Sequence, residues 1–120
     1  MDWFSVLRSL PTTSMAVHHH PLTARYTRDS QKLAYIIDNS VFLGQRPDPE
    51  RPHAMLIAVW APPSTGRGSG FYACFRIRHA DGAATSATLY CFYDGADGSP
   101  SLKSVEAAHH FAHKHGFVRP

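Results

Sequence analysis

A chain of 120 residues is long enough for one domain that buries a real core without metal or disulfide staples. Hydrophobic residues at 43% and charged residues at 18% exclude wholesale disorder. The net charge of +3 admits an anionic partner but falls short of the dense basic run that marks many dedicated nucleic-acid binders.

The start, Met1 to Arg8, carries an acid at position two and no uninterrupted apolar run, so it does not read as a secretory signal. No stretch approaches the roughly 18 apolar residues that cross a bilayer. Two cysteines in strand-like text, without a framework around them, fit a reducing compartment. The expectation is a cytoplasmic protein with no membrane contact.

Residues 1–31 read as a weakly structured N-terminal segment ahead of an α+β core at 32–116, the whole forming a single domain, 1–120. Trp3, Phe4, Val6, Leu7 and Leu10 make a short apolar cluster that Pro11 and Thr12-Thr13-Ser14 end. Three consecutive histidines, His18 to His20, cannot all face one ion in regular structure. Pro21 biases His20 to an extended conformation, so the run reads as a solvated linker rather than a metal site.

Between Lys32 and Leu43 two readings compete. One is a helix capped at Asp29 or Ser30 with Leu33, Ile36 and Ile37 on one face; the other is a pair of short strands turning at Asp38-Asn39. The β-branched and aromatic residues Ile36, Ile37, Val41 and Phe42 favour strands. Gly44 to Pro52, with prolines at 47, 49 and 52, is expected to be a surface loop. His53 to Ala61 is apolar on both parities, the pattern of a central strand buried on both faces. A long Gly-rich loop, Pro62 to Gly70, follows and carries one charge, Arg67.

Gly70 to Asp94 reads as a β-hairpin, with His79-Ala80-Asp81-Gly82 as a type I turn and Gly82 as the left-handed bulge residue. If His79 lies opposite Ala83, odd residues face odd and even face even. Phe71, Ala73, Phe75, Ile77, Ala87, Leu89 and Cys91 then line a core face. Tyr72, Cys74, Arg76, Arg78, Ser86, Thr88, Tyr90 and Phe92 line the other. In that register Cys74 and Cys91 sit on opposite faces and do not bond to each other. A turn-rich link, Asp94 to Pro100, leads to the clearest helix of the chain. Its N-cap is Ser104, Glu106 lies in the first turn, Ala108, Phe111 and Ala112 share a face, and Gly116 is the left-handed C-cap. The order of elements predicts an α+β fold, an antiparallel sheet of about 4–5 strands with the C-terminal helix laid on one face.

The even face of the hairpin supplies the candidate site. Tyr72, Tyr90 and Phe92 beside Arg76 and Arg78 resemble in type the aromatic-plus-basic platforms on which single-stranded nucleic acids stack. Arg67 on its flexible loop is a second contact. This predicts a non-enzymatic binding module, without a cofactor, for a nucleic acid or nucleoprotein. The alternative is a protein-protein inhibitor or adaptor, including a homodimer, that uses the same face as an interface. His109 and His113, four apart on the helix, are the weak candidates for a zinc site, which would need further ligands from Cys74, Cys91 or His53. A thiol enzyme with Cys74 or Cys91 as nucleophile and a helix histidine as base is the remotest reading, since no motif surrounds either cysteine.

Were residues 30–39 helical, the order would be α-β-β-β-α, which is similar to double-stranded-RNA-binding domains. Such domains present a lysine-rich start to the last helix. Here that stretch reads Ser101-Leu-Lys-Ser-Val-Glu with Lys103 alone, so the sequence is assigned to no family.

Overall fold

The computed structural model describes residues 5, 16–17, 30–63, 70–80, 83–94 and 104–119. The elements are β1 (Ala16–Val17), α1 (Ser30–Asn39), β2 (Val41–Pro47), β3 (Ala54–Ala61), β4 (Phe71–Ala80), β5 (Ala83–Asp94) and α2 (Val105–Lys114). The class is α+β, with an antiparallel sheet and a C-terminal helix. Strands follow the order β1-β5-β4-β3-β2 across the sheet. β2 to β5 are antiparallel neighbours, while β1 joins the far side of β5 in parallel, Ala16 opposite Thr88. Among the described residues no helix is long and apolar enough to cross a membrane.

Residues 30–39 form a helix, not strands. Strand alternation would send Ile36 and Ile37 to opposite faces, whereas adjacent positions on a helix share one broad face. Both are buried, and Asp38 and Asn39 beside them are exposed. The Asp-Asn pair that suggested a turn ends the helix instead: the Asn39 side chain donates to the Tyr35 carbonyl at 2.9 Å. Tyr35 anchors the helix, donating its hydroxyl to the Pro62 carbonyl at 2.8 Å and meeting Phe71 edge to face. With a helix here the element order still departs from α-β-β-β-α, because four strands separate α1 from α2.

β3 is the centre expected of it. It pairs with β2 on one side and β4 on the other, and seven of its eight residues are buried. β2 runs through Gly44 to Pro47, text that was expected to be loop. Pro47 is tolerated because it closes the strand opposite Met55, where the missing N–H costs little. A register shift between Phe42 and Gly44 leaves Leu43 as the extra residue. Gly44 lets the chain after α2 approach closely, since a Cβ there would stand 3.0 Å from the Phe117 and Val118 backbone. That approach forms a bridge, with Gln45 N–H donating to Val118 O at 2.8 Å and Val118 N–H to Gln45 O at 3.0 Å.

The hairpin forms, but its register differs from the expected one. Ala80 faces Ala83 and His79 faces Ala84, so the pairing closes tighter than expected; Asp81 and Gly82 lie outside the described residues. Two shifts follow, with Thr85 and Tyr90 as the extra residues on β5. Between them, Phe75 to Arg78 face Leu89 to Ser86 and the odd-with-odd rule holds. Beyond Tyr90 it breaks: Cys74 faces Cys91 and Ala73 faces Phe92. Each bulge changes which residues share a face.

α2 keeps the ends read from the sequence. The Ser104 hydroxyl accepts from Ala107 N–H, and Gly116 has φ +87°. Ala108, Ala112 and Phe117, with Val105 and Phe111 at the margin, close over Leu43, Leu56, Ala58, Trp60, Tyr72 and Cys74. The helix therefore lies on the even face of β3 and β4, while α1, through Tyr35 and Phe71, attends to the odd one. Gly70 sits against this core, because a Cβ there would overlap the Trp60 indole. Gly70→Ala should cost about 1–3 kcal/mol by overpacking. Ser104→Ala should cost about 1 kcal/mol by loss of the cap. Urea denaturation reads both as a lower midpoint at unchanged slope.

Candidate functional site

The even face of the hairpin is divided. Its half at residues 72 and 74 lies under α2, where Tyr72 is 1% exposed and meets the Phe111 ring edge to face at 4.9 Å. Tyr72 is therefore not a stacking platform. An amphipathic helix with nothing else to bury its apolar stripe covers the nearest apolar sheet surface.

The other half carries charge. Arg76 is 4% exposed, and its Nε donates to Asp48 Oδ2 at 2.5 Å. A guanidinium does not lose its proton, so burying it in a sheet demands an internal counter-charge. Asp48 supplies that charge from the turn between β2 and β3. Its second carboxylate oxygen accepts from Glu50 N–H at 2.9 Å, its own N–H donates to Ala54 O at 3.0 Å, and prolines flank it on both sides. Glu50 reaches Arg76 Nη2 at 3.6 Å from a side chain that is 70% exposed. Arg76 therefore organises the end of the sheet rather than waiting for a ligand.

Arg78, two residues on, shares the parity of Arg76 and is exposed, opposite Ala54 on β3 and Ser86 on β5. Arg46, on the rung of Leu56 and Arg76, donates from Nη1 to the His115 carbonyl at 2.6 Å. It thereby caps the C-terminal end of α2 and holds it at the same end of the sheet. Arg51 and His53 are exposed on the turn. His53 has φ +59°, a conformation most side chains avoid, and is held there by its carbonyl, which accepts from His79 N–H at 2.9 Å. The two imidazoles meet edge to face with centroids 6.1 Å apart.

Of the residues proposed from the sequence, Arg78 alone is an exposed side chain described at the sheet. In the strand register Tyr90 is the extra residue of a bulge and Phe92 lies opposite Ala73 rather than opposite an even position of β4. Arg67 lies outside the described residues, as do His18 to His20 and the Trp3 cluster. His109 is half-buried and His113 exposed on α2, and among the described residues no group of three or more His, Cys, Asp or Glu could hold a metal ion. Cys74 is buried, with its Sγ 3.5 Å from the Tyr72 hydroxyl.

Sequence reading missed Asp48 and Glu50, and named His53 only as a possible zinc ligand. A signal for the first was present: an arginine within an apolar strand requires a carboxylate, and Asp48 is held rigidly between Pro47 and Pro49. Comparison with protein families, curated proteins and solved structures finds no match to this chain.

Asp48→Asn should destabilise the fold by about 3–5 kcal/mol, because it leaves the Arg76 charge buried without its partner. Adding Arg76→Met should recover much of that loss, whereas Glu50→Ala should stay within about 0.5 kcal/mol. Denaturant titration of the set checks the order.

Proposed function

We propose that this chain is a small non-enzymatic binding module that takes a nucleic-acid strand at the arginine end of its sheet. The observation that carries the reading is the disposition of charge there. Asp48 is turned inward onto Arg76, while Arg78 and Arg51 stand exposed on neighbouring segments. Lys114 and His115, at the end of α2 that Arg46 ties down, are exposed as well. Arg51, Arg78 and Lys114 outnumber the one exposed carboxylate described on the turn, Glu50, and a surface cationic on balance favours a polyanion, with guanidiniums suited to phosphates through bidentate geometry. Arg67 remains part of the proposal as a secondary contact. The covered half of the even face, with Tyr72, does not.

A second reading is a protein adaptor or a homodimer. It is favoured by Val41 and Val118, which are 42% and 55% exposed at edge strand β2 and on the segment bridged to it. Sedimentation that gives a monomer mass at all concentrations counts against the homodimer.

Anisotropy titration of a labelled single-stranded RNA should show binding at about 50 mM salt that weakens steeply toward about 200 mM. Arg51→Ala/Arg78→Ala should weaken it about tenfold or more and lower the salt slope by about one for each phosphate no longer neutralised. Absence of binding at low salt, or a double variant that binds unchanged, overturns the reading.

A further inference from the structure

The chain has two cysteines, Cys74 and Cys91, and the register makes them direct partners across β4 and β5. The bulge at Tyr90 is the cause. In the odd-with-odd register that holds on its other side, an even and an odd position never meet. One extra residue on β5 brings position 91 opposite position 74. Directly opposed residues of antiparallel strands have Cα atoms about 4.5 or 5.5 Å apart, according to their place in the ladder. Both separations fall inside the span of about 4.4–6.8 Å that a disulfide bridges.

A second observation sets what such a bridge would disturb. Cys74 is a thiol within the cluster that seats α2, and its Sγ donates to the Tyr72 hydroxyl at 3.5 Å. Tyr72 in turn carries the Phe111 ring of the helix. Oxidation at this rung removes the S–H donor from Tyr72, directly beneath α2.

We infer that Cys74 and Cys91 form a cross-strand redox pair, a site of reversible disulfide formation within the hairpin. Hydrogen peroxide suffices as the oxidant. One cysteine sulfur attacks a peroxide oxygen; the O–O bond breaks, and the departing hydroxide leaves as water with that thiol's proton, giving a sulfenic acid. The opposing sulfur then attacks the sulfenic sulfur; the S–O bond breaks, and a second water carries away the remaining thiol proton. Two thiols lose two electrons and the peroxide gains them. Burial of Cys74 makes the reaction slower than that of an exposed low-pKa thiol without changing its product. The inference is independent of what the arginine end binds.

The test is made on the full chain at low concentration, treated with a small excess of hydrogen peroxide and then unfolded for thiol titration. The expected result is loss of both thiols, an intact mass lower by two hydrogens, a linked peptide containing Cys74 and Cys91 after digestion, and restoration by dithiothreitol. The oxidised chain should also melt at a higher temperature than the reduced one, since the link constrains the unfolded state. Cys91→Ser should keep one titratable thiol and show no such mass loss. Both thiols persisting, a mass gain of whole oxygens, or disulfide-linked dimers in place of the internal link would overturn the inference.

Discussion

Burial of one permanent charge governs the end of this sheet. Arg76 lies in β4 between Phe75 and Ile77, both fully buried, and its guanidinium must be matched inside the protein. Only a carboxylate delivered by another segment can do that. The β2–β3 turn therefore has to return at the height of Arg76 and present Asp48 inward, which explains its rigid Pro-Asp-Pro text and its hydrogen bond back to Ala54. The left-handed backbone at His53 is the point at which the turn rejoins the sheet, fastened by the His79 amide. Substituting an aliphatic residue for Arg76 would free the turn of all these demands.

The same charge separates two uses of one sheet face. Where β3 and β4 offer Ala58, Trp60, Tyr72 and Cys74, a short helix with alanines at its contact positions can come close and seal the surface. Where they offer Arg76 and Arg78, no apolar stripe can settle, and α2 ends there, with Arg46 donating to the carbonyl of His115 just beyond its last turn. Position along the strand, rather than face, decides what is core and what meets solvent.

This explains what the sequence disclosed. β3 was legible because burial on both faces leaves an unbroken apolar run, and α2 because Ser104 and Gly116 mark its ends by local chemistry. The α1 helix was misread because Ile36 and Ile37 favour strands intrinsically, and burial against the sheet outweighed that preference. The hairpin register was not legible at all. Its alternation is clear on each strand, but bulges at Thr85 and Tyr90 leave no mark in a period of two. Asp48 and Arg76 stand 28 residues apart, so their pairing is a property of the fold. The candidate face was consequently drawn one helix too wide: Tyr72 shares one side of β4 with Arg76 and Arg78 but lies beneath α2.

The bridge between Gln45 and Val118 bears on how the chain can be made. β2 is completed by a segment more than half the chain away in sequence, and the same stretch brings Phe117 and α2 onto Leu56, Trp60 and Tyr72. During synthesis, a chain that has emerged only through β5 has its sheet pairing available but an unfinished outer strand and an uncovered apolar surface. In that interval it is exposed to edge pairing with other chains and to chaperone capture, and the hazard ends when residue 118 is delivered.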